Sequence, residues 1–96
     1  MEEQAIIVFS PHCGFAVAQH SSGYFVVEFV EDDTGIGCGD TIHASEWRAI
    51  GVRTISCRNV EHYAEFWGPY GQLEEAKKRA LKFVSDLNEL RSGAIS

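Results

Sequence analysis

A chain of 96 residues fits one compact domain and cannot fill a second core, which excludes a two-domain enzyme. With 45% hydrophobic and 23% charged residues, the composition is that of a globular protein rather than a disordered one. A formal charge of -6 argues against direct binding to nucleic acid or to an anionic membrane, since both need clustered Lys and Arg.

The charge is unevenly divided. Residues 1–71 hold ten acids, three arginines and no lysine, whereas residues 72–91 hold five basic and four acidic side chains. A partner steered by this field should be basic and should meet the first part of the chain. The three cysteines, Cys13, Cys38 and Cys57, match no disulfide framework. The short apolar run near the N-terminus lacks a signal peptide's basic flank, and no stretch reaches the ~18–20 apolar residues of a membrane span. Reduced thiols in a cytoplasmic protein are the expectation.

Short apolar runs between turn residues continue to about Trp67, a β pattern. Residues 5–9 (AIIVF) predict the first strand, ending in a turn built on Pro11 and Gly14. Residues 15–19 return as a second strand before the turn Ser21-Ser22-Gly23. Residues 24–30 (YFVVEFV) carry the strongest strand signal, and alternation assigns Phe25, Val27 and Phe29 to the core face. Residues 31–40 (EDDTGIGCGD) are too polar and glycine-rich for a regular element and predict a long connection.

A short strand is expected at 41–44, then one helical turn at 45–51 between an N-cap at Ser45 and a C′ glycine at Gly51. Residues 52–57 and 60–67 predict a hairpin turning at Arg58-Asn59, which pairs Cys57 with Val60 and Ile55 with His62. That register puts Arg53, Ile55, Cys57, Val60, His62, Ala64 and Phe66 on one face. Gly68-Pro69-Tyr70-Gly71 is expected to break the chain. In residues 71–91, Leu73, Ala76, Ala80, Phe83, Leu87 and Leu90 recur at helical spacing, with Glu74 and Glu75 in the first turn. Ser92-Gly93 supplies the stop and leaves a tail over 92–96. The predicted fold is a single α+β domain, a small antiparallel sheet or partly open barrel of five to six strands (1–70) packed by one long C-terminal helix. A parallel arrangement is excluded, because each parallel pair needs its own crossover.

Several clusters invite a chemical reading. Cys38-x4-His43 and Cys57-x4-His62 repeat one spacing 19 residues apart, and two cysteines with two histidines form a set that zinc accepts tetrahedrally. The C-x2-4-C knuckle of structural zinc sites is missing, however, so Cys57 as a core residue and His62 as a core-edge histidine is the favoured reading, and no cofactor is expected. His12 and Cys13 point to opposite faces of an extended chain, which suits no proton transfer between them. His20 beside Ser21-Ser22 reads as a solvated turn residue rather than a member of a catalytic triad. Gly35-Ile36-Gly37-Cys38-Gly39 satisfies neither phosphate-loop pattern, and the acids around it match no EF-hand spacing. No nucleophile, base and oxyanion donor can be assembled from spacing alone, so no enzyme is expected.

Trp67, Pro69 and Tyr70 cluster where the last strand meets the helix, and Tyr63 shares a face with Trp67, Glu61 and Glu65. Aromatics flanked by acids suit an Arg-rich protein partner, whereas coverage of Trp67 by the helix is the competing structural reading. The expected function is a non-enzymatic interaction or regulatory module, a monomer or weak homodimer. It would bind a basic protein through Tyr63, Trp67, Tyr70 and the loop acids Glu31, Asp32 and Asp33. Two alternatives are a zinc-stabilised domain held by Cys38, His43, Cys57 and His62, and an acidic inhibitor that imitates nucleic acid through Glu28, Glu31, Asp32, Asp33 and Asp40.

Overall fold

The computed structural model describes residues 2–12, 14–31 and 34–95, without the side chains of His12 and of residues 87–95. Six strands, β1 (Glu2–His12), β2 (Phe15–His20), β3 (Gly23–Phe29), β4 (Thr41–Ser45), β5 (Arg53–Cys57) and β6 (Val60–Tyr70), precede one helix, α1 (Leu73–Ile95). The strands close into a barrel in the order β1-β2-β3-β6-β5-β4, with antiparallel pairing. Two three-strand meanders are thus joined along β3 with β6 and along β1 with β4. Of the expected small antiparallel sheet or partly open barrel, the antiparallel barrel of six strands is found, and it is fully closed, because β4 pairs with β1 from Glu2–Ser45 to Ile6–Thr41 and leaves neither strand as an edge.

Alternation decides what enters the barrel. Phe25, Val27, Phe29, Ile55, Cys57, Ala64 and Phe66 point inward as their strand patterns predict, and Ala5, Ile7, Ala16, Ala18, Ile42 and Ala44 join them. Alanines on β2, β4 and β6 leave room for the rings of Phe25, Trp47 and Phe66. The β5–β6 hairpin has the predicted register. Its turn residues Arg58 (φ 51°) and Asn59 (φ 64°) adopt the left-handed backbone that matches a two-residue loop to the strand twist.

A second apolar layer lies outside the barrel. Val17 and Val26 are buried against Ala76 and Ala80, whose small side chains let α1 approach closely, and Val8, Phe9, Tyr24, Trp67, Tyr70, Leu73 and Phe83 fill the margin. The helical spacing of Leu73, Ala76, Ala80 and Phe83 therefore marks the face that meets the sheet. Leu87 and Leu90 of that stripe lie outside the described side chains.

Elsewhere the structure departs from the sequence pattern. β1 runs through Ser10 and Pro11 to His12, with register shifts between Ile7 and Phe9 and between Phe9 and His12. Such irregularities tolerate a proline, since an unpaired position needs no N–H. Residues 46–51 form a turn and not the expected helical turn: Glu46 takes φ 54°, outside the helical region, and Trp47 is buried in the barrel. Arg53 holds this turn, its guanidinium donating to the carbonyl oxygens of Glu46, Ala49 and Gly51 while resting 5.0 Å from the Phe66 ring centre.

β6 does not break at Gly68 but continues to Tyr70, with an extra residue between its pairings to Val26 and Tyr24. A Cβ on Gly68 (φ 135°) would lie 2.8 Å from the Tyr24 carbonyl oxygen, and one on Gly23 (φ 141°) 2.7 Å from that of Tyr70. Only glycine allows the two backbones to approach this closely. Finally, α1 passes Ser92-Gly93 and ends at Ile95, so the predicted tail is largely helical. One interior glycine costs a helix only about 1 kcal/mol and need not end it.

Candidate functional site

The outer face of β3 and β6 is divided. Val26 and Trp67 lie in the seam beneath α1, whereas the next outward pair, Glu28 and Glu65, is half-buried outside that cluster. Glu28 and Glu65 are direct cross-strand partners. Two like charges so placed cost roughly 0.2–1 kcal/mol. Burial, and then the charge of Glu65, raises the Glu28 carboxyl above its ordinary range. With Phe29, Val30 and Val52 the two carboxylates line a cleft of about 170 Å³. Around it Val30 is 60%, Val52 55% and Tyr63 50% exposed. The Val30 N–H donates to the Tyr63 carbonyl at 2.9 Å, which keeps these two residues side by side.

Of the aromatics expected to bind a partner, only Tyr63 is exposed. Trp67 and Tyr70 belong to the helix seam, where the Trp67 ring centre lies 5.1 Å from that of Phe83. The expectation of an open Trp67 face is corrected accordingly: the parity that puts Tyr63 and Trp67 on one face is right, but α1 covers only the Trp67 end of it. Glu31 is exposed, and Asp32 and Asp33 lie outside the described residues. Asp40 serves its own loop, accepting the Gly37 N–H at 2.9 Å and facing Arg58 at 3.6 Å.

The four metal candidates do not converge on one site. Cys38 is exposed in the loop before β4, and His43 sits on the outer parity of β4 between buried Ile42 and Ala44. Cys57 is buried in the core, and half-buried His62 follows the inner parity of β6 opposite Ile55. Among the described residues, no group of three His, Cys, Asp or Glu side chains could hold a metal ion. Burial, and then the Asp40 carboxylate, pushes the Cys57 thiol up, against an opposing pull from Arg58. A thiol kept protonated is a poor ligand and a poor nucleophile.

One cluster was read from the sequence as solvated and is not. His20, expected to be solvated, is 8% exposed and follows the inner parity of Ala16 and Ala18 on β2. Its ring centre lies 5.0 Å from that of Trp47 and 5.5 Å, edge-on, from that of Phe25. Nδ1 accepts the backbone N–H of Ser22 at 3.1 Å and lies 2.8 Å from the Ser22 hydroxyl oxygen. A backbone N–H can only donate, so a neutral ring carries its proton on Nε2, which donates to Glu3 Oε1 at 3.2 Å. Trp47 supports the arrangement by donating its indole N–H to the Ala44 carbonyl at 3.0 Å. Glu3, His20, Ser21, Ser22, Glu46, Trp47 and Arg48 surround a cavity of about 340 Å³. The available sequence signal was parity: extending the second strand by one residue turns His20 inward.

The class defined by these features is a closed six-stranded antiparallel barrel with one helix laid along its side. The chain matches no known protein family, no curated protein and no solved structure. Among the described residues, no helix is long and apolar enough to cross a membrane.

Proposed function

We propose that this protein is an acidic protein-interaction module whose docking face is the uncovered outer side of β3 and β6. The observation that carries this reading is the Glu28–Glu65 pair, two carboxylates opposed across one ladder and framed by exposed Val30, Val52 and Tyr63. A cationic side chain laid between them replaces a repulsion with two attractions, and the apolar rim can cover its stem. The partner is therefore a protein segment bearing Arg or Lys, with Tyr63 able to stack on a guanidinium. No cofactor is required. Trp67 and Tyr70 contribute by fixing α1, not by touching the partner.

The test is an amide-shift titration of the protein with an arginine-rich peptide at low and high salt. The expected shifts centre on Glu28, Val30, Tyr63 and Glu65, and salt weakens binding. The double variant Glu28→Gln/Glu65→Gln should lose most of the affinity. Equal affinity in that variant, or shifts confined to other surfaces, would rule out this face.

A further inference from the structure

We infer that the cavity beside Trp47 is a hydrolytic centre for short-chain esters, with Ser22 as nucleophile, His20 as its general base and Glu3 as the group that positions the base. The inference stands apart from the docking face, with which the cavity shares no lining residue. Nucleophilic catalysis by serine needs a base within hydrogen-bond reach of the hydroxyl and a third group that orients the base. Both requirements are met: Ser22 Oγ lies 2.8 Å from His20 Nδ1, and Glu3 Oε1 lies 3.2 Å from His20 Nε2. The ring is buried against Trp47 and Phe25, which limits its rotation. Three distinct segments supply the parts: the start of β1, the end of β2 and the β2–β3 turn.

The protonation state suits the task. Nε2 holds the proton toward Glu3, so the Nδ1 lone pair faces Ser22. In the first step Ser22 Oγ attacks the ester carbonyl carbon as its proton passes to Nδ1, which releases the Ser22 backbone N–H it accepted, and Glu3 stabilises the resulting imidazolium through Nε2–H. Collapse of the tetrahedral intermediate breaks the bond to the alcohol oxygen, which takes the proton from Nδ1. Water then attacks the acyl-serine and gives a proton to Nδ1. As the acyl–oxygen bond breaks, that proton returns to Ser22 Oγ. One ester and one water become one acid and one alcohol, with no other reactant.

Size and charge narrow the substrate. A volume of about 340 Å³ lies at the small end of ligand sites, roughly 300–1,000 Å³. Glu3 and Glu46 in the wall disfavour a substrate carrying a free carboxylate, and Arg48 is the wall's one permanent cation.

The decisive experiment treats the folded protein with an alkyl fluorophosphonate, locates the adduct by peptide mass mapping and follows p-nitrophenyl acetate hydrolysis in parallel. One adduct per chain, on Ser22, is expected. Ser22→Ala should abolish labelling and ester turnover, and Ser85→Ala, an exposed serine on α1 outside the cavity, should keep both. His20→Gln should slow labelling by ~10²–10⁴-fold. Because that change also disturbs packing, Glu3→Gln is the second variant; its amide oxygen can still accept from Nε2, yet loss of the charge should slow labelling by at least ~10-fold at an unchanged melting temperature. No adduct on the folded wild type, equal labelling in Ser22→Ala, or an unchanged rate in folded Glu3→Gln would overturn the proposal.

Discussion

The segments on either side of β4 each return one apolar side chain to the core, Ile36 before the strand and Trp47 after it, and they settle their polar groups in opposite ways. Around Ile36 the loop is bound inward. The Ile36 N–H bonds the Thr34 hydroxyl at 3.2 Å, the Gly37 N–H bonds Asp40 at 2.9 Å, and Arg58 donates to the Gly35 carbonyl at 3.0 Å. Asp40 and Gly39 complete the seal through backbone bonds to Ile7 at 2.8 Å. Around Trp47 the backbone carbonyls are taken by Arg53 and the indole N–H by Ala44, which leaves the side chains of Glu3, Glu46, Arg48, Ser21 and Ser22 around a cavity. Both loops lend a carbonyl to an arginine, but the first also spends the Thr34 and Asp40 side chains on its own backbone, whereas the second keeps Glu46 and Arg48 at the cavity wall.

The largest expected effect that tests this contrast is Trp47→Ala. Removing the ring that stacks on Phe66 at 4.3 Å and lies tilted against His20 at 5.0 Å should cost about 3–5 kcal/mol in urea unfolding, and should also raise the solvent exposure of His20. Ile36→Ala should cost less, about 2–3 kcal/mol, and leave ester turnover and fluorophosphonate labelling unchanged. A greater loss at Ile36, or a labelling defect there, breaks the comparison.

Arg53→Met sharpens it from the other side. The apolar stem is kept and the clamp on Glu46, Ala49 and Gly51 is lost, so stability should fall by roughly 1–3 kcal/mol, with increased hydrogen exchange confined to residues 46–52. Unchanged exchange there would remove the arginine from the account.

The smallest effect serves as a control away from both segments. Folding raises the Glu28 carboxyl, so the native state holds this proton to a higher pH than the unfolded chain does. The associated stability is present in acid and is lost as pH rises through the native value. Glu28→Gln should therefore stabilise the protein by about 0.2–1 kcal/mol at pH 7 and have no effect at pH 3. A destabilised variant at pH 7 would reverse the sign and remove the repulsion from which the docking face is argued.

Much of the fold was legible because its signals are local. The inward set Phe25, Val27 and Phe29 follows from a period of two, and the Cys57–Val60 register from a two-residue turn at Arg58-Asn59. The sheet-facing helix stripe follows from a period near 3.6. The sites were less legible. Tyr63 and Trp67 were rightly placed on one face, yet the reach of α1 across the sheet decides which of them is open.

The sequence by itself determined the α+β class, most strand faces, the hairpin register and the acidity of the barrel portion, since each depends on residues within a turn or a strand of one another. Tertiary structure alone decided that β4 closes the ring onto β1, that Trp47 turns into the core, and that His20 meets Glu3 across 17 positions of sequence. Strand alternation says which way a side chain points, but the partner it meets depends on which strands become neighbours and in what register. That choice is made when the two meanders pair, through long-range backbone bonds that no spacing along the chain encodes.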